Sequence, residues 1–264
     1  MGALRPLEIP SRKRMYAEGA DGAFEILELG VPLGIDCWDD GFEGDLFRGG
    51  AAPGVYQSTA SGAASAVAAL DLGAVGGQCT LDPGDANAGR SDLSLGRHYT
   101  GNRFATCWWR INMRDAITSS KFEVGLTDVV SGTDAGALSA KAGNGTWNAT
   151  DAVVLCRDTD DDTNLTLLAV QNGTAATSLD FSTVLALNTM YWLGVTLRGT
   201  RAAGYLMDTD GNLLERQPAS AYIESAVTAA TLLTPWAFVQ NRSGSQRRLN
   251  IDRLKVYQFA TANS

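Results

Sequence analysis

The chain has 264 residues, of which 45% are hydrophobic and 19% charged, and its formal net charge is −8. Such a length can bury a sizeable core in one domain, and such a charge excludes a body built to hold nucleic acid or an anionic membrane. No run approaches the roughly eighteen apolar residues of a membrane span, and Met1 to Pro10 holds no apolar stretch of a secretory signal, so neither is expected.

Residues 1–36 read as an extended arm. Arg5, Arg12, Lys13 and Arg14 face only Glu8 within the first fourteen positions, and Pro6 and Pro10 oppose regular structure. The body is placed at 37–264. Its first part, 37–58, reads as irregular, glycine-rich chain carrying Trp38, Phe42, Phe47 and Tyr56. The small residues of 60–69, followed by Leu70-Asp-Leu-Gly-Ala-Val75, suit strands and turns better than a helix.

From 103 onward, period-two alternation predicts half-buried antiparallel strands. In Phe104-Ala-Thr-Cys-Trp-Trp-Arg-Ile-Asn-Met113, residues Ala105, Cys107, Trp109, Ile111 and Met113 face one way, and Phe104, Thr106, Trp108 and Arg110 the other. In Phe122-Glu-Val-Gly-Leu126, Glu123 and Gly125 oppose Phe122, Val124 and Leu126. Further strands follow at 152–156, 165–170, 191–197, 204–207 and 235–240. Asp208-Thr-Asp-Gly-Asn212 predicts a hairpin turn. The closing run 249–257 changes phase near Asp252-Arg253, which predicts a bulge. Strands at this spacing fit an all-β fold of two packed antiparallel sheets.

Reactive groups are sparse. Cys37, Cys79, Cys107 and Cys156 form no Cys-x-x-Cys pair and read as reduced thiols; with His98 the one histidine, no usual zinc site can be assembled. Asp158, Asp160, Asp162 and Asn164 occupy positions one, three, five and seven of a calcium-loop pattern. Thr163 and Ala169 stand where an EF-hand needs glycine and glutamate, so a solvated turn competes with calcium there. A sandwich glucanase presents Glu-x-Asp-x-x-Glu on one strand. The nearest string here, Glu43-Gly-Asp-Leu-Phe-Arg48, lacks the second glutamate, so no catalytic pair and no enzyme is expected. Neither a nucleophile elbow nor a phosphate-binding glycine motif is present. Among six tryptophans, Trp38, Trp108 and Trp147 are the ones expected nearest the surface.

The ordered series Phe122-Glu-Val-Gly-Leu-Thr-Asp128, Thr150-Asp-Ala-Val-Val154, Asp158-Thr-Asp160, Leu233-Thr-Pro-Trp236, Asn241-Arg242 and Ile251-Asp-Arg-Leu-Lys-Val-Tyr-Gln258 resembles the concanavalin A-like (laminin G-like) jelly-roll domains of tailed-bacteriophage virion proteins. The likeness covers roughly 104–258. It implies a jelly-roll sandwich and a structural part of a virion: a capsid decoration protein, head fibre or tail appendage. On that reading the protein sits on the outer capsid surface. Arg5, Arg12, Lys13 and Arg14 would pair with acidic groups of the major capsid protein. Exposed Trp108 and Trp147 would hold copies together, with a homotrimer as the expected assembly. Two rival readings stand beside it. One is a carbohydrate-binding tail or fibre domain that recognises a host-surface glycan; the other is a polysaccharide-cleaving enzyme using Glu43 or Asp45.

Overall fold

The computed structural model describes residues 14–18, 24–28, 35–42, 56–62, 67–70, 77–129 and 136–259. Twenty strands lie among them. The first seven are β1 (Arg14–Glu18), β2 (Phe24–Glu28), β3 (Ile35–Asp40), β4 (Ala60–Ser61), β5 (Val67–Leu70), β6 (Cys79–Asp82) and β7 (Arg90–Ser94). Next come β8 (Thr106–Met113), β9 (Ser120–Thr127), β10 (Leu138–Ala140), β11 (Thr146–Trp147), β12 (Ala152–Asp158), β13 (Thr166–Gln171) and β14 (Thr174–Ala175). The chain continues through β15 (Leu179–Asp180), β16 (Tyr191–Arg198), β17 (Arg201–Met207), β18 (Leu213–Gln217), β19 (Thr234–Asn241) and β20 (Leu249–Phe259). Helix among the described residues is limited to one 3-10 turn, Gly101–Arg103.

Two eight-stranded antiparallel sheets make the sandwich. The first runs β14-β13-β12-β9-β19-β7-β4, with β15 beside β13; the second runs β18-β17-β16-β8-β20-β6-β5, with β3 beside β20. Their facing sides interdigitate Leu81, Leu93, Trp109, Phe122, Leu155, Leu193, Val239 and Val256 into one core. The expected two-sheet jelly roll is what the chain forms. The alternation read in β8 holds: Cys107, Trp109, Ile111 and Met113 enter the core. The register of β20 against β8 shifts between Ile251 and Arg253, where the phase change predicted a bulge. The Asp208–Asn212 turn joins β17 to β18, with Gly211 at φ +86°.

Two expectations need correction. Residues 37–40 are not irregular, because β3 pairs with β20 from Ile35↔Phe259 to Asp40↔Leu254. Within 1–36, β1 and β2 pair antiparallel from Arg14↔Glu28 to Glu18↔Phe24. Trp108 is not surface-exposed: it is 6% accessible, packed at 5.6 Å between ring centroids against Tyr205. Gly194, its cross-strand neighbour, permits this, since a Cβ there would lie 2.3 Å from the indole.

Candidate functional site

Each sheet has an outer face, and the two differ in what covers them. On the first sheet, β9 sends Lys121 and Glu123 outward, and β19 sends Trp236 and Phe238. Alternation alone would leave these in solvent. Instead the segment 136–149, carrying the β10–β11 hairpin, lies over them and buries both charged side chains completely. Lys121 Nζ sits 2.7 Å from Glu123 Oε1 and 5.3 Å from the Phe238 ring centroid, and it donates to the Leu138 carbonyl. Glu123 accepts from the Ala137 amide at 2.7 Å and the Trp236 indole N–H at 3.1 Å. Gly136 must be glycine here: a Cβ would meet that carboxylate at 2.4 Å, and its φ is +97°. Every oxygen of Glu123 is occupied, so the residue fastens a covering segment and has no room for acid–base work.

The acidic run reads the same way. Asp158 is 1% accessible and takes a forked pair of bonds from Arg242, which also lies 3.3 Å from Asp160. Asp162 is bonded to Lys141, whose Nζ reaches the Asn164 carbonyl at 3.3 Å. Burial raises the Asp162 pKa, but bonds from Lys141 and the Asn164 amide outweigh it and hold the carboxyl below its usual range. Asp158 and Asp160 therefore lie against Arg242, and Asp162 against Lys141. Among the described residues, no three His, Cys, Asp or Glu side chains are placed to hold a metal.

Other chemistry is equally restrained. Cys79, Cys107 and Cys156 are unpaired and buried, and desolvation pushes all three thiols up, away from the reactive thiolate. His98 is exposed. Asp128 and Asp151 meet near one end of the first sheet. Asp151 is taken up by Thr228, Thr231 and the Asn172 amide, and desolvation raises Asp128 while the Thr150 amide bonds to it. These two fasten loops. Arg5, Arg12, Lys13, Glu43 and Asp45 lie outside the described residues; Arg14 opens β1. Trp147 is half-buried against the first sheet's cover, with its indole N–H on the Asn144 carbonyl.

A groove remains, at the edge where both sheets end. A cavity of about 560 Å³ lies between the β13–β15 edge and the segment 218–225, lined by Gln171, Thr174, Thr177, Pro218, Tyr222 and Glu224 among others. Its walls are held firmly. Ile223 pairs with Ala202 of β17, which plants the returning segment in the second sheet and turns Tyr222 outward. Gln171 donates to the Val227 carbonyl at 3.0 Å, and Gln217 to the Asp180 carbonyl at 2.8 Å. Glu215 accepts from both the amides and the hydroxyls of Ser182 and Thr183.

Tyr222 is shared between the groove and the second sheet's outer face. The guanidinium carbons of Arg198, Arg201 and Arg216 lie 5.5, 5.6 and 5.3 Å from its ring centroid. Arg216 also lies 5.6 Å from the Tyr205 ring and donates to the Pro218 carbonyl. Sequence reasoning singled out none of these residues. One signal was present: Arg198-Gly-Thr-Arg201 puts two arginines at either side of a tight turn between strands.

The sandwich is the concanavalin A-like jelly roll. It is similar to a protein of unknown function from Shewanella oneidensis MR-1, at 11% identity and a TM-score of 0.56, over 89% of this chain and 92% of that one. It is likewise similar to the exoplasmic/lumenal domain of VIP36 in its Ca2+/Man2-bound form, at 12% identity and a TM-score of 0.56, over 86% and 89% of the two chains. The Ca2+/Man3GlcNAc-bound form of that domain matches at a TM-score of 0.54 and 12% identity, over 80% and 86%. No protein-family model and no curated protein matches the sequence. At 11–12% identity, what these chains share is a fold.

Proposed function

We propose that this chain is a non-catalytic carbohydrate-binding module, and that the groove beside Tyr222 is where a sugar chain lies. The observation that carries the reading is the groove itself. It combines an aromatic ring with amide and hydroxyl side chains, which suits stacking against a pyranose face together with hydrogen bonds to its hydroxyls. Glu224 is the one carboxylate on the described lining, and glycoside hydrolysis by the usual route needs two. A likeness of fold to a domain that holds Man2 and Man3GlcNAc supports the same class.

The capsid-decoration reading keeps the sequence resemblance and the basic run Arg5, Arg12, Lys13 and Arg14 as its support. Of its two aromatic anchors, Trp108 is committed to packing inside its own chain. A glycan array spanning neutral and acidic saccharides tests the main reading. The expected result is binding in the millimolar range or better that Tyr222→Ala abolishes while the unfolding midpoint stays nearly unchanged. A blank array, together with sedimentation of the chain on undecorated capsids that deletion of residues 2–20 prevents, would instead establish the decoration role.

A further inference from the structure

The lining of the groove is rich in hydrogen-bond acceptors and poor in donors. Its polar side chains are Gln171, Thr174, Thr177, Tyr222, Glu224 and Ser225. The Gln171 amide nitrogen is turned to the Val227 carbonyl, which leaves its oxygen to accept. The hydroxyls of Thr174, Thr177 and Ser225 serve either way. Glu224 is exposed and bears the one formal charge on the lining, and a carboxylate only accepts. Among the described residues, no cation and no donor is bonded to it. Its backbone is nevertheless fixed on both sides. Ile223 bridges to Ala202, and the Ala226 amide donates to the Thr200 carbonyl at 2.7 Å. Arg198, Arg201 and Arg216 surround the Tyr222 ring but are not on the lining, and Arg216 is tied to the Pro218 carbonyl.

We infer that the groove prefers glycans bearing protonated amino groups, with Glu224 meeting the ammonium while Tyr222 stacks on a sugar ring. This rests on the carbohydrate-binding reading and narrows it. An ammonium brings three donors and no acceptor, which complements this lining. Its bond to a carboxylate is charge-assisted, and neither a hydroxyl nor an acetamide can reproduce that. The net charge of −8 draws cations toward the chain as a whole. Arginines about Tyr222 oppose a cation over that ring, so the amino group belongs at Glu224 and an uncharged sugar face at Tyr222.

The test is calorimetric titration of the full chain with three probes: the β-1,4 tetramer of glucosamine, its fully N-acetylated counterpart and cellotetraose. A buffer of about pH 6 keeps the sugar amines largely protonated and a glutamate ionised. The expected result is that the glucosamine tetramer binds at least about tenfold tighter than either neutral probe, with affinity falling as salt rises. Glu224→Gln, at an exposed position without a partner in the fold, should reduce that affinity about tenfold and leave the neutral probes unaffected. Asp210→Asn removes an equal charge from the exposed turn at the far end of β18 and should change nothing. Equal or tighter binding of a neutral probe overturns the inference and leaves the carbohydrate reading standing. So does a Glu224→Gln protein that binds like the parent, or an Asp210→Asn loss as large as the Glu224→Gln one, which would assign the preference to overall charge. Absence of binding by every saccharide, neutral ones included, overturns both.

Discussion

Both outer faces of this sandwich bring cations to aromatic rings, but they do so under opposite conditions. On the first sheet, Lys121 lies over Phe238 and against Glu123, with both charged side chains fully buried beneath 136–149. On the second, Arg198, Arg201 and Arg216 surround half-buried Tyr222 at the lip of a groove. A charge sealed from water must be answered from within the chain, and Glu123 answers it. The arginines at Tyr222 stand at a half-buried ring and not under a covering segment, and Arg216 is tied there to the Pro218 carbonyl. The first arrangement is a fastening, and the second is the one placed beside the proposed sugar groove, although the side-chain types are nearly alike.

The comparison predicts its largest effect at the sealed face. Glu123→Ala leaves the Lys121 ammonium buried without its carboxylate and strands the Ala137 amide and Trp236 indole N–H. Breaking one partner of such a pair should cost roughly 3–5 kcal/mol in urea unfolding. Replacing both, as Lys121→Met with Glu123→Gln, should recover most of that loss, because no uncompensated charge remains. A Glu123→Ala protein destabilised by less than about 1 kcal/mol would mean the face is wet, and that the contrast with Tyr222 is false.

A smaller effect is expected where the second sheet packs against itself. Gly194→Ala pushes a methyl to within 2.3 Å of the Trp108 ring, and overpacking of this kind costs about 1–3 kcal/mol. Combining it with Trp108→Leu should remove the clash, so the double variant will be less destabilised than the two single losses added together. Strict additivity would show that Trp108 does not rest on Gly194. The same pair separates packing from binding: neither change touches the groove, so saccharide affinity should survive both.

How far these roles could be read from the sequence depended on the range of the contacts behind them. The inward side of β8, the bulge before Arg253 and the Asp208–Asn212 turn follow from alternation and local turn chemistry, which neighbouring residues encode. Glu123 was misleading for a physical reason. A polar residue at an alternate strand position reads as solvent-facing, and only the distant segment 136–149 makes it buried. Its glycines, Asn and Thr give no periodic signal, because the segment is held by the charges it covers. The Tyr222 cluster was invisible for a similar reason. Arg198 and Arg216 are eighteen positions apart (216 − 198 = 18), and they meet on one ring because Ile223 re-enters the sheet beside Ala202. Spacing in sequence left Asp158, Asp160 and Asp162 open between a solvated turn and a weak calcium candidate, and it gave no sign of the partners Arg242 and Lys141 that these carboxylates take in the fold.

The smallest effect sharpens the comparison at the groove's own frame. Glu215 ties β18 to the segment after β15 through the amides and hydroxyls of Ser182 and Thr183. Burial raises its pKa, but those donors outweigh it, so the folded-state value lies below the ordinary 4.5. A carboxyl with a depressed folded-state pKa contributes stability that is complete above its unfolded value and is lost as pH falls through the folded one. Thermal midpoints of the parent chain should therefore drop more steeply below about pH 4.5 than those of Glu215→Gln. Other depressed carboxyls, Asp115 beside Arg248 among them, fall in both proteins and cancel in the difference. Because Glu215 is only partly buried, that difference should stay under about 1 kcal/mol. Saccharide binding in the parent should weaken over the same acid range as β18 and the 218–225 wall lose their tie, and a Glu215→Gln groove whose affinity followed pH just as the parent's does would show that the wall is held by other contacts.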